Sequence, residues 1–123
     1  MAAGVAHIPF YATVFRGDEL AEALAGIAPS ARKYGATSWS VQRQLEDAYS
    51  LRLIVAFDDK KDWELWWNGA EMQTFRARHG GMFQVPLMYA WHVVVAEGSA
   101  GPSATADAET TRAEDLAGAA GPS

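Results

Sequence analysis

The chain has 123 residues, half of them hydrophobic, and a formal net charge of −5 at neutral pH. These values are typical of one globular domain rather than of a disordered chain. It contains no cysteine, which excludes disulfides, thiolate nucleophiles and Cys-ligated metal centres. The acidic balance argues against binding to nucleic acid or to an anionic membrane, because both require a basic surface.

The N-terminal sequence has no basic region ahead of an apolar stretch, and no long uninterrupted apolar run occurs in the chain. A signal peptide requires the first feature and a membrane span the second. We therefore expect no signal peptide, no membrane span and a cytoplasmic location.

The first quarter of the chain predicts a strand followed by a helix. Residues 7–15 are rich in aromatic and β-branched residues and end at Arg16-Gly17, as a strand closed by a turn does. Asp18 stands at an expected N-cap, and the apolar residues after it recur at helical spacing: Leu20, Ala23, Leu24, Ile27 and Ala31. Pro29 is the position at which this helix is expected to kink or end.

The middle of the chain predicts a hairpin and a second helix. Residues 37–45 alternate in polarity with a period of two, and residues 50–57 form the returning strand after a turn. A helix is predicted from Trp63 to about His79, with acidic residues ahead of it, at the positive end of its dipole, and Gly80-Gly81 stopping it. Residues 88–96, after Pro86, predict the fourth strand.

This order of elements, βαββαβ, predicts an α+β ferredoxin-like domain over residues 1–97, with a four-stranded antiparallel sheet. Residues 98–123 are rich in Ala, Gly, Ser and acids, and Leu116 is their one large aliphatic residue. Such a segment buries too little surface to offset its ordering entropy, so we expect a disordered acidic tail. The alternative is that this tail docks on a partner protein.

Strands one and four are apolar on both faces, although helices cover only one face of a ferredoxin-like sheet. The other face therefore requires a partner. The same face of a second copy, related by a two-fold axis, meets this need most simply. We expect a homodimer in which the two sheets close a shared barrel.

The stretch of 42 residues GATSWSVQRQLEDAYSLRLIVAFDDKKDWELWWNGAEMQTFR, from Gly35, resembles the dimeric α/β-barrel superfamily, particularly antibiotic biosynthesis monooxygenase-type domains. The resemblance extends over about residues 8–96. It rests on Gly35 before strand two, the turn at Glu46-Asp47, the junction Phe57-Asp58-Asp59 and the aromatic-rich second helix. Where related helices often carry histidines this chain has Trp66 and Glu71, and the acid common in strand three is Val55.

The resemblance implies a small hydrophobic pocket between sheet and helices. Several members oxidise phenolic or quinol compounds there with O₂ and neither metal nor flavin, whereas others bind and degrade heme. Oxidation of this kind requires an aromatic pocket, a base for the phenolic proton and a donor that stabilises the resulting anion.

The chain offers candidates for each role. Candidate pocket walls are Tyr11, Trp39, Phe57, Trp63, Trp66, Trp67, Phe83 and Trp91. Arg43 or Arg52 is the candidate anion-stabilising donor and His92 or His79 the candidate base, so that His92, Arg43 and Trp66 form the hypothetical catalytic set. The alternative interpretation is that the tryptophans fill the core or the dimer interface, and that His92 is a packing residue.

Three histidines without an HxH or HxxxH pair do not make a metal-ligand pattern, so we expect no metal. No cofactor is expected either, unless His79, four residues after Phe75, holds heme as in the heme-degrading members. Three functions stay open: a cofactor-independent monooxygenase-like protein for a small aromatic compound, a non-catalytic dimeric binding or assembly module, and a heme-binding protein.

Overall fold

The computed structural model describes residues 3–100, so the predicted tail lies outside the described residues from position 101 onward. The strands are β1 (Gly4–Tyr11), β2 (Ala36–Arg43), β3 (Ser50–Phe57) and β4 (Ala90–Val93). The helices are α1 (Gly17–Ile27), α2 (Lys60–Trp67) and α3 (Ala70–His79), with 3-10 helices at Ala28–Tyr34 and Gly80–Met82. This architecture confirms the predicted ferredoxin-like α+β fold.

The sheet is antiparallel throughout, with the strand order β2-β3-β1-β4. Strand β3 has the predicted bounds, whereas β1 lies earlier than predicted and ends at Tyr11. The chain leaves the sheet because Thr13 donates its backbone N–H to the carbonyl of Met82, and Phe15 then takes a positive φ of 66° with its ring exposed. Strand β4 is shorter than predicted at both ends.

The core lies between the helices and one face of the sheet. Alternate residues of β1 and β3 point into it, as the two-residue period of a strand requires. The buried strand residues are Ala6, Ile8, Phe10, Leu51, Leu53, Val55 and Phe57. Leu20 and Leu24 of α1 pack on them from the helical layer.

Helix α1 is not capped by Asp18 as predicted, because the helix already begins at Gly17 and its N-cap is Arg16. Asp18 instead lies in the first turn, where its carboxylate pairs with the Arg43 guanidinium at 3.0 Å. Pro29 lies at the start of the 3-10 helix that continues α1, so the α-helix ends just ahead of it, at Ile27. The missing N–H of proline is tolerated at such a start.

The predicted long second helix is wrong: it is two helices separated by Asn68 and Gly69. Asn68 ends α2 by donating both its backbone N–H and its side-chain amide to the Glu64 carbonyl, each at 3.0 Å. Gly69 is tightly enclosed, since a Cβ there would lie 2.7 Å from Tyr34 Oη and 2.8 Å from the Leu65 carbonyl. The predicted stop at Gly80-Gly81 is confirmed, because α3 ends at His79.

The second face of the sheet is covered by no element of residues 3–100 and is called the open face below. Its residues include Val5, His7, Arg52, Ile54, Ala56 and His92, by the alternation and pairing of β1, β3 and β4. In the same described range, none of the helices is long and apolar enough to cross a membrane.

The enclosure of Gly69 gives the first test. We expect Gly69→Ala to destabilise the protein by about 1–3 kcal/mol, because the new methyl group meets backbone that must move. The matched control is Gly26→Ala in α1, where nothing lies within 4 Å of the position that the new methyl group would take. That change should stabilise the protein by about 0.5–1 kcal/mol through helix propensity. Urea unfolding compares them, and equal effects would contradict the packing described for Gly69.

Candidate active-site cavity

The break between α2 and α3 brings Trp67 and Arg76 together. In one continuous helix, nine residues turn the chain through about two and a half turns and advance it by about 13 Å, so the two side chains would face opposite ways. In the structure the Arg76 guanidinium instead lies 4.5 Å from the centre of the Trp67 ring. This is a cation–π contact.

Contacts of its first turn fix the direction that helix α3 takes after the break. Tyr34 donates its hydroxyl to Glu71 Oε1 at 2.6 Å, and Lys33 pairs with the other carboxylate oxygen. Hydrogen bonds from Lys33 and Tyr34 lower the pKa of Glu71 to about 2. The carboxylate is therefore ionised at any ordinary pH and ties α3 to the 3-10 helix before β2.

The three tryptophans of α2 are all buried in the core, and Trp63 and Trp67 also border a surface cavity. Trp63 and Trp67 stack with 5.2 Å between ring centres, and Tyr89 lies against both at 5.7 and 5.0 Å. Trp66, in contrast, is fully buried and donates its indole N–H to Ser30 Oγ at 2.9 Å. Offset and edge contacts of this kind are the favoured arrangements of aromatic side chains.

The opposite wall is the segment between α3 and β4. Phe83 forms a bridge with Ala12, and the Gln84 backbone N–H donates to the Tyr11 carbonyl at 2.9 Å, so the segment is fixed to the end of β1. Val85, Pro86 and Leu87 follow, with a cis peptide bond between the first two. These residues turn an apolar edge toward Trp67 and Arg76.

Two adjoining cavities result, and they share Trp67 and Tyr89. The first, here the Arg76 cavity, has a volume of about 450 Å³ and is lined by Trp67, Arg76, Gly80, Phe83, Val85, Pro86, Leu87 and Tyr89. The second, here the Trp63 cavity, has about 440 Å³ and is lined by Lys60, Trp63, Glu64, Trp67, Asn68, Tyr89, Ala90 and Trp91. Both volumes are in the range of small-molecule sites.

Arg76 supplies the charge of the first cavity. Burial lowers the pKa of its guanidinium, and Tyr89 partly opposes that shift. Nη1 is shielded from solvent and has no hydrogen-bond acceptor among the described residues. Most buried polar groups are paired, so this unpaired donor marks an unusual position.

Four of the predicted wall residues meet in these cavities: Trp63, Trp67, Phe83 and Trp91. The other four lie elsewhere. Phe57 and Trp66 pack in the core, Trp39 lies on the edge strand β2, and Tyr11 donates its hydroxyl to Asp47 at 2.8 Å. Trp63, Trp67 and Phe83 are themselves buried in the core, as the packing interpretation predicts, and they border the cavities with the small part of their surface that is exposed.

The predicted anion donors are not near these cavities. Arg43 is engaged by Asp18 and donates Nε to the Ala48 carbonyl at 2.7 Å, which joins the hairpin to α1. Arg52 points to the open face of the sheet, opposite the helices. Both border a separate groove of about 230 Å³ at the end of the hairpin.

His92, the predicted base, also points to the open face. Its ring contacts that of His7 edge-on, with 4.5 Å between ring centres. Partial burial, with the neighbouring His92 and Arg52, holds the pKa of His7 below its usual range. The sheet thus separates His92 from Trp66, the other member of the hypothetical catalytic set.

His79, the candidate heme ligand, ends α3 beside Phe75, with 4.9 Å between ring centres. Its Nδ1 is buried without an acceptor, whereas a metal-ligating histidine normally donates its second nitrogen. The grooves beside it are bordered by the carboxylates Glu19, Glu22 and Glu71 and by the guanidinium of Arg78. Within residues 3–100, no three His, Asp or Glu side chains converge as metal ligands. Heme binding through His79 stays a prediction.

Sequence reasoning missed Arg76 and Tyr89. One signal for Arg76 was present, because it follows the buried Met72 by four residues and therefore falls on the inward side of α3. A charged residue at such a position needs a special environment. For Tyr89 no comparable signal exists, since it lies in an irregular segment ahead of β4.

The sequence matches no family model and no curated protein. Solved structures do match. One from Nitrosomonas europaea, described as a "putative antibiotic biosynthesis monooxygenase", has a TM-score of 0.71 and 13% identity over 80% of this chain and 95% of that one. A structure with the same description from Bordetella bronchiseptica has a TM-score of 0.69 and 15% identity over 78% of this chain and 100% of that one. Another from Chloroflexus aurantiacus has a TM-score of 0.66 and 18% identity over 81% of this chain and 100% of that one. This chain has the ferredoxin-like fold of antibiotic biosynthesis monooxygenase-type domains.

The histidine pair predicts a pH dependence of stability. The pKa of His7 is lowered in the folded protein, so folding favours the neutral side chain. The resulting contribution to the free energy of unfolding is present above the pKa of histidine in the unfolded chain, about 6.5, and is lost as the pH falls. Between about pH 7.5 and pH 5.5 the Tm of the wild type should therefore fall more than that of His7→Gln. Ser40→Ala on β2 is the control and should keep the wild-type slope. Parallel slopes for wild type and His7→Gln would contradict the prediction.

Proposed function

We propose that this protein is a monooxygenase-like protein that binds a small aromatic compound in the Arg76 and Trp63 cavities and oxidises it with O₂. The observation that carries the proposal is the meeting of Trp63, Trp67 and Tyr89 around two adjoining cavities of suitable volume. The names of three solved structures with the same fold, each described as a "putative antibiotic biosynthesis monooxygenase", also support it.

Aromatic walls serve this chemistry in two ways. Stacked rings bind a flat apolar ligand through dispersion and burial of its surface. They also shield from water the side of the ligand that lies against them, which limits side reactions of oxygen intermediates there. Phe83, Val85 and Leu87 extend the apolar lining on the side away from Lys60 and Glu64.

The reaction requires no external reductant. An activated methylene group in an electron-rich ring system loses one proton to water and gives a phenolate-type anion, which adds O₂ at carbon and takes a proton back from water. The resulting hydroperoxide loses water and leaves a ketone. One oxygen atom stays in the product, the other leaves as water with the two hydrogens of the methylene group, and the substrate supplies all the electrons.

Anthrone, the keto form of a tricyclic phenol, is a suitable probe. We expect the protein to accelerate O₂ uptake with anthraquinone as product, and Trp67→Ala to lower kcat/KM by tenfold or more, which corresponds to about 1.4 kcal/mol of lost transition-state stabilisation. Leu65→Ala, an exposed α2 residue, is the control and should keep the rate. An oxygen electrode and product chromatography measure both. Anthrone bound without O₂ uptake would contradict the oxidation and favour a binding module.

We also propose that the protein is a homodimer formed through the open face. Val5, Ile54 and Ala56 make the apolar centre of this face and are only partly exposed in a single chain. A second copy that covers them would bury apolar surface of both chains.

The dimer is tested by the mass in solution. A lysine introduced by Ile54→Lys would have to be buried unpaired at the contact, so we expect it to shift the protein from dimer to monomer. Leu65→Lys places the same charge on exposed α2 and should leave the mass unchanged. Light scattering after size exclusion reports the mass, and a monomeric wild type would overturn the proposed dimer.

A further inference from the structure

We propose that Arg76 selects aromatic ligands that carry a carboxylate and holds that carboxylate in the Arg76 cavity. The inference rests on the proposed function, because it concerns the same cavity, and it adds the chemical class of the ligand.

The first step is the state of the guanidinium in the described chain. The Trp67 ring occupies one side of Arg76 at 4.5 Å. Nη1 is shielded from solvent without an acceptor, and no ion pair of Arg76 with a described residue occurs. A guanidinium has five N–H donors in a planar fork, and a cation–π contact through the face of that plane uses none of them.

The second step is the charge of the surroundings. Among residues 3–100, Arg76 is the one charged residue that lines its cavity, whose other described walls are aromatic, aliphatic or glycine. In the adjoining Trp63 cavity, the Lys60 and Glu64 side chains lie 3.7 Å apart and offset each other. The positive charge of Arg76 is therefore not neutralised by the described residues that line either cavity.

The third step is the match to a ligand. The side chain is partly buried, which lowers the guanidinium pKa, and an anion that enters the cavity would reverse this penalty. Carboxylate is the natural partner, since its two oxygens match two N–H groups of the fork. A flat ring attached to it would lie against Trp67 and Tyr89, whose ring centres are 5.0 Å apart.

The test uses two probes of equal shape, 2-naphthoate and 2-naphthamide, and isothermal titration of the full-length protein. We expect the anion to bind about tenfold to a hundredfold more tightly than the amide, as a charge-assisted pair in a cavity implies. In Arg76→Met this preference should vanish while amide binding persists. Arg76→Lys keeps the charge without the fork and should retain part of the preference for the anion.

The control is Arg78→Met, two residues along α3 and bordering a different groove. It removes the same charge from the same helix and should keep the preference for naphthoate, which separates local recognition from a general change of net charge. Unchanged thermal unfolding of the Arg76→Lys protein guards against loss of the fold.

The outcomes distinguish the two proposals. If the wild type binds both probes equally, or if Arg76→Met keeps the preference for the anion, the inference about Arg76 is overturned and the aromatic site stands. If the wild type binds neither probe, the aromatic site and the inference fail together. Tight binding of 2-naphthoate that depends on Arg76 supports both.

Discussion

The bend between α2 and α3 is the constraint on which the candidate site depends. Asn68 closes one helix on the Glu64 carbonyl, and Gly69 leaves room for Tyr34, whose hydroxyl binds the first turn of the next helix. Without this bend, the Trp67 and Arg76 side chains would project from opposite sides of one continuous helix. The contacts that redirect the chain therefore also create the pairing of an indole ring with a guanidinium.

The tryptophans of α2 show how one helical turn serves both stability and binding. Trp66 fills the core completely and satisfies its indole N–H on Ser30, whereas Trp63 and Trp67 pack on one another at the cavity wall. Each of the three buries a large area, so the cavity is built on the same hydrophobic layer that stabilises the fold. Close packing of this kind favours precise positioning of a ligand, because neighbouring side chains restrict the rotamers of the wall residues.

The fold was predictable from the sequence because it follows from periodicity and from turn signals. Strand β3 has its predicted bounds, and α3 stops where Gly80-Gly81 predicts. The site was less predictable. The three-and-four spacing of Trp63, Trp66 and Trp67 marks the inward face of a helix, and it does not tell which residues of that face also border a cavity. Arg76 was missed since the 3.6-residue pattern continues across Asn68-Gly69, and only the hydrogen bonds and the close packing of Gly69 show that the helix is broken there.

The central claim is that Trp63, Trp67 and Trp91 line a ligand site while Trp66 and Trp39 do not. The five indole N–H groups give separate signals in a nitrogen-15 correlation spectrum, which a titration with 2-naphthoate follows one by one. The account predicts shifts for the signals of Trp63, Trp67 and Trp91, with those of Trp66, bonded to Ser30, and Trp39, on the edge strand, unmoved. Shifts confined to Trp39, or the absence of any shift at saturating probe, would contradict it.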